Sequence, residues 1–192
     1  MGGLFMLTPT HMFEFIKDKF GKKAAPNVNL TVRDLEMGFI FDYDLRTWEI
    51  IEVYTYDWGD EEFSREYRIT DGTEARYMSI EEDDGLFLVI GDKVSAHKVV
   101  DDLIERVQKK GHPPNKIEYD GIKFYFDEES AGFYHKSGQP EDQWTEMIAW
   151  DYYDEDEKYN LTIEQWDEKS FEASVGKVEE EHRISNILSR TT

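Results

Sequence analysis

The chain has 192 residues, of which 39% are hydrophobic and 15% aromatic. A globule of this length buries roughly 70% of its unfolded surface, so it has room for a sizeable core, and the excess of aromatic residues favours strands. Its 43 acidic and 22 basic residues give a formal net charge of −21, which argues against direct nucleic-acid binding. The chain has no cysteine, which excludes disulfides, thiolate metal sites and a cysteine nucleophile.

Targeting signals are the next feature. No segment combines a basic start with the apolar run of a secretion signal. No segment approaches the roughly 18 consecutive apolar residues that a membrane-spanning helix needs. We therefore expect a cytoplasmic protein.

The N-terminal segment predicts a short amphipathic helix. After Pro9, a common first helical residue, apolar side chains recur on one helical face; they are Met12, Phe13, Phe15, Ile16 and Phe20. The simpler interpretation is that this face packs on the rest of the protein. Lysines lie on and just after the polar side, so the alternative is a helix that docks on a membrane surface or a partner through Phe13, Ile16 and Phe20.

From Phe39 onward the pattern becomes that of strands separated by turn residues. Asp71-Gly72 is the strongest hairpin signal among the first turns. A single connecting helix is predicted from Ser95 to Gly111, with apolar residues at spacings of three and four. The predicted strands are 39–43, 47–56, 63–70, 74–81 and 86–90 before the helix, and 116–119, 122–127, 132–136, 144–152, 158–166 and 170–177 after it.

The two strand regions resemble each other in sequence. The matched segments are Phe63–Glu81 with Trp144–Glu164, Gly38–Phe41 with Gly121–Phe124, and Gly91–Val94 with Gly176–Val178. This match places Glu66 opposite Glu146 and Glu81 opposite Glu164. A duplicated structural unit would produce such a pattern, so we predict an internal repeat.

Together these patterns predict a mainly β fold, a β-rich α+β protein. Two similar antiparallel β-meander units, built as small barrels or packed sheets, are joined by one helix and preceded by the N-terminal amphipathic helix. We expect the two units to form one compact structural domain. The predicted divisions are 1–29 for the N-terminal helix and linker, 30–94 for the first β unit, 95–115 for the connecting helix and 116–192 for the second β unit.

Three segments carry a likeness to a known family. They are LTVRDLEMGFIFDYD at 30–44, YRITDGTEARYMSIEEDD at 67–84, and residues 150–188, where WDYYDEDE, TIEQW and FEASVGKV follow in order. In these segments the chain resembles the bacterial family catalogued as domain of unknown function 4178, over residues 30–188. The resemblance implies a soluble, β-rich bacterial protein. It implies no activity, cofactor or catalytic residue.

Paired carboxylates are the first candidate for chemistry. Glu66, Glu81, Glu146 and Glu164 occupy matched positions, and two neighbouring carboxyl groups can perform acid–base catalysis or bind a cation. With 43 acidic residues, some must align by chance, and strand glutamates commonly face water or pair with arginine. A hydrolase or metal-dependent enzyme that uses these glutamates is therefore the alternative function, and a protein without enzymatic activity is favoured.

Metal and nucleotide motifs give no candidate site. Asp151, Asp154 and Asp156 lack the glycine and distal glutamate of a calcium-binding loop, so we expect an exposed acidic turn there. The five histidines form no helical pair, and the phosphate-binding glycine loops and the GxSxG elbow are missing. We therefore expect neither a metal nor a cofactor.

Aromatic residues beside the predicted loops suggest a binding surface. The two groups are Trp58 with Tyr54 and Tyr56, and Trp144 with Trp150, Tyr152 and Tyr153. Such rings either fill the cores or anchor a partner, since Trp and Tyr dominate interface hot spots. The leading hypothesis is a non-enzymatic protein-binding or scaffold module, with Trp58, Tyr56, Trp144, Trp150, Glu66 and Glu146 as its candidate binding residues.

Overall fold

The computed structural model describes residues 30–82 and 85–189. The described residues from 31 onward belong to one compact unit, which is mostly antiparallel β-sheet and so confirms the predicted fold class. The predicted N-terminal helix, with Phe13, Ile16 and Phe20, lies outside the described residues.

Ten strands form two five-stranded meanders. The first meander contains β1 (Ile40–Tyr43), β2 (Arg46–Gly59), β3 (Glu62–Thr70), β4 (Ala75–Glu82) and β5 (Leu86–Val94). The second contains β6 (Lys116–Tyr119), β7 (Ile122–Lys136), β8 (Thr145–Asp154), β9 (Tyr159–Asp167) and β10 (Ser170–Val178). In each meander, a short strand is followed by a long one. An additional strand, β11 (Ser185–Leu188), pairs with β1.

The two meanders share one sheet. Strand β5 pairs with β10, and the second half of β2 pairs with the end of β7. Since β2 to β5 and β7 to β10 are also paired in order, these eight strands close into a ring. The expected meanders are therefore present, but they are joined edge to edge instead of forming two separate sheets.

Both joints between the meanders depend on glycine. Gly91 pairs with Gly176 across β5 and β10, and a Cβ atom on Gly91 would lie 2.2 Å from the carbonyl oxygen of Val175. At the other joint, a Cβ atom on Gly132 would lie 2.6 Å from the ring of Trp58. The strands approach so closely at both places that a side chain would force them apart.

The turns correct one of the predicted sequence matches. Asp44 and Leu45, between β1 and β2, have φ of 49° and 63°; Asp120 and Gly121, between β6 and β7, have φ of 48° and 79°. Two central residues with positive φ are typical of a type I′ hairpin turn. Gly121 therefore corresponds to Leu45, not to Gly38 as the sequence match suggested.

The ladder also corrects the matched glutamates. Ser79 on β4 and Thr162 on β9 occupy equivalent positions. Each lies two residues after the residue of its strand that pairs with a glycine of the β5–β10 joint. Their neighbours on β3 and β8 are Glu66 and Asp151. Asp151, and not Glu146, is thus the counterpart of Glu66.

A bulge divides each long strand into two parts. In β2 the pairing skips Ile51, and in β7 it skips Asp127. One extra residue exchanges the two faces of a strand, so each long strand faces its own meander's core first and the ring interior afterwards. The prediction of two strands, 122–127 and 132–136, was wrong because the polar residues Glu128, Glu129 and Ser130, just after the bulge, resembled a turn.

Each meander has its own apolar core, on the sheet face that points away from the ring interior. The first includes Phe41, Trp48, Tyr67, Ile69, Met78 and Leu88, covered by Val32, Leu35 and Ile184. The second includes Phe124, Trp150, Tyr152, Leu161 and Ile163, covered by the helical segment. With the apolar side chains on this face, the alternate positions leave polar residues for the interior.

The connecting helix is interrupted. It consists of α1 (Ala96–Val99) and α2 (Leu103–Lys110), whereas the pattern predicted one helix. Val99 and Val100 are both buried in the second core, and Val100 is extended, with φ −140° and ψ 108°. A continuous helix would turn these neighbours about 100° apart. The predicted end is confirmed, because Gly111 has φ 84° and its N–H bonds to Val107.

Candidate functional site

A buried ion-pair cluster lies inside the ring, where the two meanders face each other. The Lys93 ammonium lies 3.0 Å from a carboxylate oxygen of Glu164 and 3.4 Å from one of Glu66. These residues come from β5, β9 and β3, and strand alternation turns all three inward. Glu66 and Glu164 are only 7% and 6% exposed. We call these three residues the interior triad.

Hydroxyl groups complete the surroundings of the interior triad. The buried Tyr56 hydroxyl lies 3.4 Å from an oxygen of Glu66 and 3.4 Å from one of Glu164. Ser79 donates a hydrogen bond of 3.5 Å to Glu66. Charges this deep are tolerated only when paired and hydrogen-bonded, and this arrangement satisfies that condition across both meanders.

The electrostatic environment of the interior triad stabilises the protonated forms of Lys93 and Glu66. Burial alone would lower the pKa of Lys93, but the carboxylates of Glu164 and Glu66 outweigh it and raise that pKa. Burial raises the pKa of Glu66 to about 6; Lys93 opposes the rise, and the charge of Glu164 adds to it. With both carboxylates ionised, the interior triad carries one net negative charge.

Asp151 is a third carboxylate inside the ring, and it is half-buried. It accepts hydrogen bonds of 2.5 Å from Thr162 and 3.4 Å from Asn160. Burial raises its pKa to about 6, although these hydrogen bonds oppose the rise. The predicted exposed acidic turn is wrong for Asp151, which β8 carries into the interior. It holds for Asp156, which is exposed and pairs with a lysine at 2.8 Å.

Two cavities adjoin the interior triad. An inner cavity of about 100 Å³ is lined by residues of both meanders, including Ser79, Asp151 and Thr162. A pocket of about 330 Å³ has Thr145 and Glu172 among its lining residues. Its walls are Tyr54, Tyr56, Tyr77, Tyr134 and Trp166, with Glu66 and Lys93 beside them. We call this second pocket the aromatic mouth.

The rings of the aromatic mouth contact one another. Tyr134 has its ring centroid 5.6 Å from those of Tyr54 and Tyr56, and 5.0 Å from that of Trp166. These distances lie within the range of stacked and edge-to-face pairs. Because β2, β7 and β9 contribute these rings, the aromatic mouth exists only when the meanders are joined.

One polar atom at the aromatic mouth is unsatisfied. The indole nitrogen of Trp166 is buried and has no hydrogen-bond partner within the described ranges 30–82 and 85–189. A buried donor of this kind normally finds a partner. Because Trp166 lines the aromatic mouth, a ligand bound there would change the environment of this N–H.

Three of the six candidate binding residues meet at this site. Tyr56 and Glu66 share a hydrogen bond beside the interior triad. Trp58 stacks on Tyr56 with a centroid distance of 5.5 Å and donates a 2.9 Å hydrogen bond to Ser64. Glu164, the carboxylate matched to Glu81 in the sequence, joins them through Lys93.

The other predicted binding residues lie elsewhere. Trp150 is 1% exposed in the second core and donates a hydrogen bond to Glu129. Trp144 is exposed and packs its ring 5.0 Å from that of His135. Glu146 is exposed on the outer face, paired with Phe133.

The described residues contain neither a metal-ligand cluster nor a membrane-spanning helix. In residues 30–82 and 85–189, no group of three or more His, Asp or Glu side chains is placed to hold a metal ion. Across these residues, each helix is too short or too polar to cross a bilayer.

Sequence comparison places the chain in a family. The model of the family described as domain of unknown function (DUF4178) matches residues 36–181. The chain belongs to this family. An uncharacterized protein of Aquifex aeolicus (strain VF5) is 27% identical to it over 181 residues, covering 92% of this chain and 98% of that protein. No solved structure matches this DUF4178 chain.

Sequence reasoning missed several residues of the DUF4178 site, namely Tyr77, Lys93, Tyr134 and Trp166, and it assigned Asp151 to an exposed turn. Lys93 lies in a segment that was matched between the two regions, beside Gly91, but it was not singled out. Alternation along each strand shows which residues share a face. It does not show which strands face each other across the ring, and this arrangement determines which inward residues meet at the site.

Proposed function

We propose that this DUF4178 protein is a cytoplasmic, non-enzymatic module that binds a partner protein at its aromatic mouth. One observation supports this most: five aromatic side chains from both meanders surround a single pocket of about 330 Å³. Aromatic anchors that fill or line a pocket carry much of the energy of protein interfaces. Concave, aromatic-lined pockets with a few polar groups are also the usual form of a binding site.

The carboxylates favour binding over hydrolysis. Glu66 and Glu164 both contact Lys93 and Tyr56, so their charge stabilises neighbours within the fold. The raised pKa of Lys93 keeps its ammonium protonated, which makes it unsuitable as a base or nucleophile. Burial likewise raises the pKa of Tyr56, so its hydroxyl acts as a hydrogen-bond donor.

Affinity capture with matched variants tests the proposal. Tyr134 faces the aromatic mouth, whereas its neighbour Phe133 is exposed on the opposite face of β7. The full chain and the Phe133→Ala variant should enrich the same partner, and Tyr134→Ala should lose at least about 90% of it.

A second variant separates loss of binding from loss of folding. Thr145 is exposed and lines the aromatic mouth, so Thr145→Arg narrows the pocket without removing a packed ring. It should keep the melting temperature and lose the partner. If Thr145→Arg and Tyr134→Ala capture as much partner as the unmodified chain, or if Phe133→Ala alone abolishes capture, the aromatic mouth is not the site.

A further inference from the structure

The aromatic mouth has a ligand preference that its charges and rings define. We propose that it binds an alkylammonium group, of the kind a lysine side chain of the partner carries. This inference rests on the proposed function for the location of the site, and it adds the chemical class of the ligand.

Charge is the first argument. The interior triad has two carboxylates for one ammonium, and the Glu172 carboxylate lies at the same pocket. Glu66, Glu172 and Lys93 line the pocket, and Glu164 does not line it but contacts Lys93 at 3.0 Å. With all four groups ionised, they carry two net negative charges. Lys93 shows the effect of this field, since its pKa is raised although burial alone would lower it. An anionic ligand would be repelled there, as over the rest of a chain of charge −21.

The rings are the second argument, because two of them already hold ammonium groups. The Lys93 nitrogen lies 5.4 Å from the centroid of Tyr77, and the Lys136 nitrogen lies 5.5 Å from that of Tyr54. Both distances fall within cation–π range. Trp166 has the ring type that attracts cations most strongly, and it stands edge-to-face with Tyr134 at 5.0 Å and 78°.

Size is the third argument. The pocket volume of about 330 Å³ lies at the lower end of the range for small-molecule sites, roughly 300–1,000 Å³. Such a volume suits one extended side chain, with its methylenes against the tyrosines and its ammonium near the acidic groups. A neutral chain of equal length would make the apolar contacts alone.

Nuclear magnetic resonance of the indole groups tests the inference directly. The full chain, labelled at its tryptophan indoles, is titrated with Nα-acetyl-lysine methylamide at about 0.15 M salt, and Trp166→Phe assigns the Trp166 resonance. We expect that resonance to shift and saturate. The norleucine compound, which lacks the charge, should bind at least about 10-fold more weakly, and the glutamate compound should cause no shift.

Matched variants locate the binding. Tyr134→Leu should weaken binding of the lysine compound by about 10-fold. Phe133→Leu, on the outer face, should leave that binding unchanged. Thr145→Arg adds a competing cation at the pocket and should also weaken it. A shift of the exposed Trp144 indole equal to that of Trp166 would show diffuse attraction to an acidic surface and would overturn the inference.

The two proposals fail separately. If the lysine and norleucine compounds bind equally, or neither shifts Trp166, the cation preference is wrong, whereas a partner lost on Thr145→Arg still supports the aromatic mouth as a protein-binding site. If the lysine compound binds, but every variant of the aromatic mouth captures as much partner as the unmodified chain, the ligand class is supported and the proposed function is wrong.

Discussion

The turn between β1 and β2 contains backbone strain, because Asp44 and Leu45 are consecutive non-glycine residues with positive φ. Leu45 has φ of 63° and a fully exposed side chain, and the left-handed region costs an L-residue roughly 1–2 kcal/mol. Leu45→Gly should therefore raise the free energy of unfolding by about 0.5–1 kcal/mol, after the larger unfolded-state entropy of glycine offsets part of the gain. Urea denaturation measures the change.

A second variant isolates the backbone effect. Leu45→Ala keeps the strained φ and removes an exposed side chain, so its stability should stay within about 0.5 kcal/mol of the unmodified protein. If Leu45→Gly proves less stable than Leu45→Ala, strain at this turn is not the governing factor. At the equivalent position in the second meander, residue 121 is already a glycine, which adopts this positive φ without strain.

Single residues of the site were only partly predictable. Tyr56, Trp58 and Glu66 were found because aromatic residues and matched glutamates stand out in a strand pattern. Lys93 did not stand out, since one inward lysine looks like any exposed lysine until the strand opposite is known. Its partner Glu164 lies on β9 of the other meander, and the pairing of β5 with β10 brings them together.

The joint between β5 and β10 should tolerate no side chain at its centre. A Cβ atom on Gly91 would lie 2.2 Å from the Val175 oxygen and 2.4 Å from the Gly176 Cα atom, and both are backbone atoms. Gly91→Ala should lower the free energy of unfolding by about 1–3 kcal/mol or more, because the strands must separate. Chemical denaturation followed by tryptophan fluorescence measures the loss.

Gly85→Ala provides the control for this joint. Among the described residues, no atom lies within 4 Å of a Cβ atom on Gly85, so this variant should be neutral or slightly stabilising through the unfolded state. Equal stability of the two variants would mean that β5 and β10 do not approach as closely as Gly91 indicates.

Strands were the most predictable elements, because each has a clear period of two and ends in turn residues. Asp71-Gly72 identified the β3–β4 hairpin, where the Asp71 carboxylate accepts bonds from the backbone of Thr73 and Glu74. The errors fell where the sequence departs from a simple period: the polar residues after the bulge at Asp127 divided β7 in the prediction, and the extended Val100 interrupts the predicted helix.

Closure of the ring could not be read from the sequence. The pairing of β2 with β7 joins residues such as Tyr56 and Tyr134 that lie far apart along the chain. Every strand pattern is compatible with several neighbours, and only packing of both faces selects one. For the same reason, the polar interior was invisible: Glu66 and Asp151 have the spacing of ordinary solvent-facing residues.

Stability of the whole molecule should increase on mild acidification. Burial raises the pKa of Glu66 and of Asp151 to about 6 in the folded state, above the ordinary values of 4.5 and 3.8. The folded state therefore binds more protons than the unfolded state in this window, and the free energy of unfolding rises as pH falls from about 7 to about 4.5. Each unit of pKa difference corresponds to about 1.4 kcal/mol, so we expect a gain of roughly 2–4 kcal/mol by urea denaturation.

Other acidic groups limit this gain at lower pH. Hydrogen bonds from Lys136 and Tyr54 lower the pKa of Glu52 to about 2, so its stabilising contribution persists through mild acid. That contribution is fully present above the ordinary pKa of 4.5 and is lost progressively as pH falls from there toward about 2, because the unfolded state takes up the proton first. Stability should consequently pass through a maximum on the acidic side of neutrality.

Reduced charge repulsion also favours the folded state in acid, because the net charge is −21. Two controls separate this effect from the interior carboxylates. At about 1 M salt the Debye length is about 3 Å, so surface repulsion is screened while the interior contribution remains.

Asp151→Asn keeps an acceptor for Thr162 and should be more stable near neutral pH, with a shallower rise of the free energy of unfolding in acid. Glu155→Gln, at an exposed position, should keep the full rise; if it flattens the profile as much as Asp151→Asn, the surface and not the ring interior governs the pH dependence.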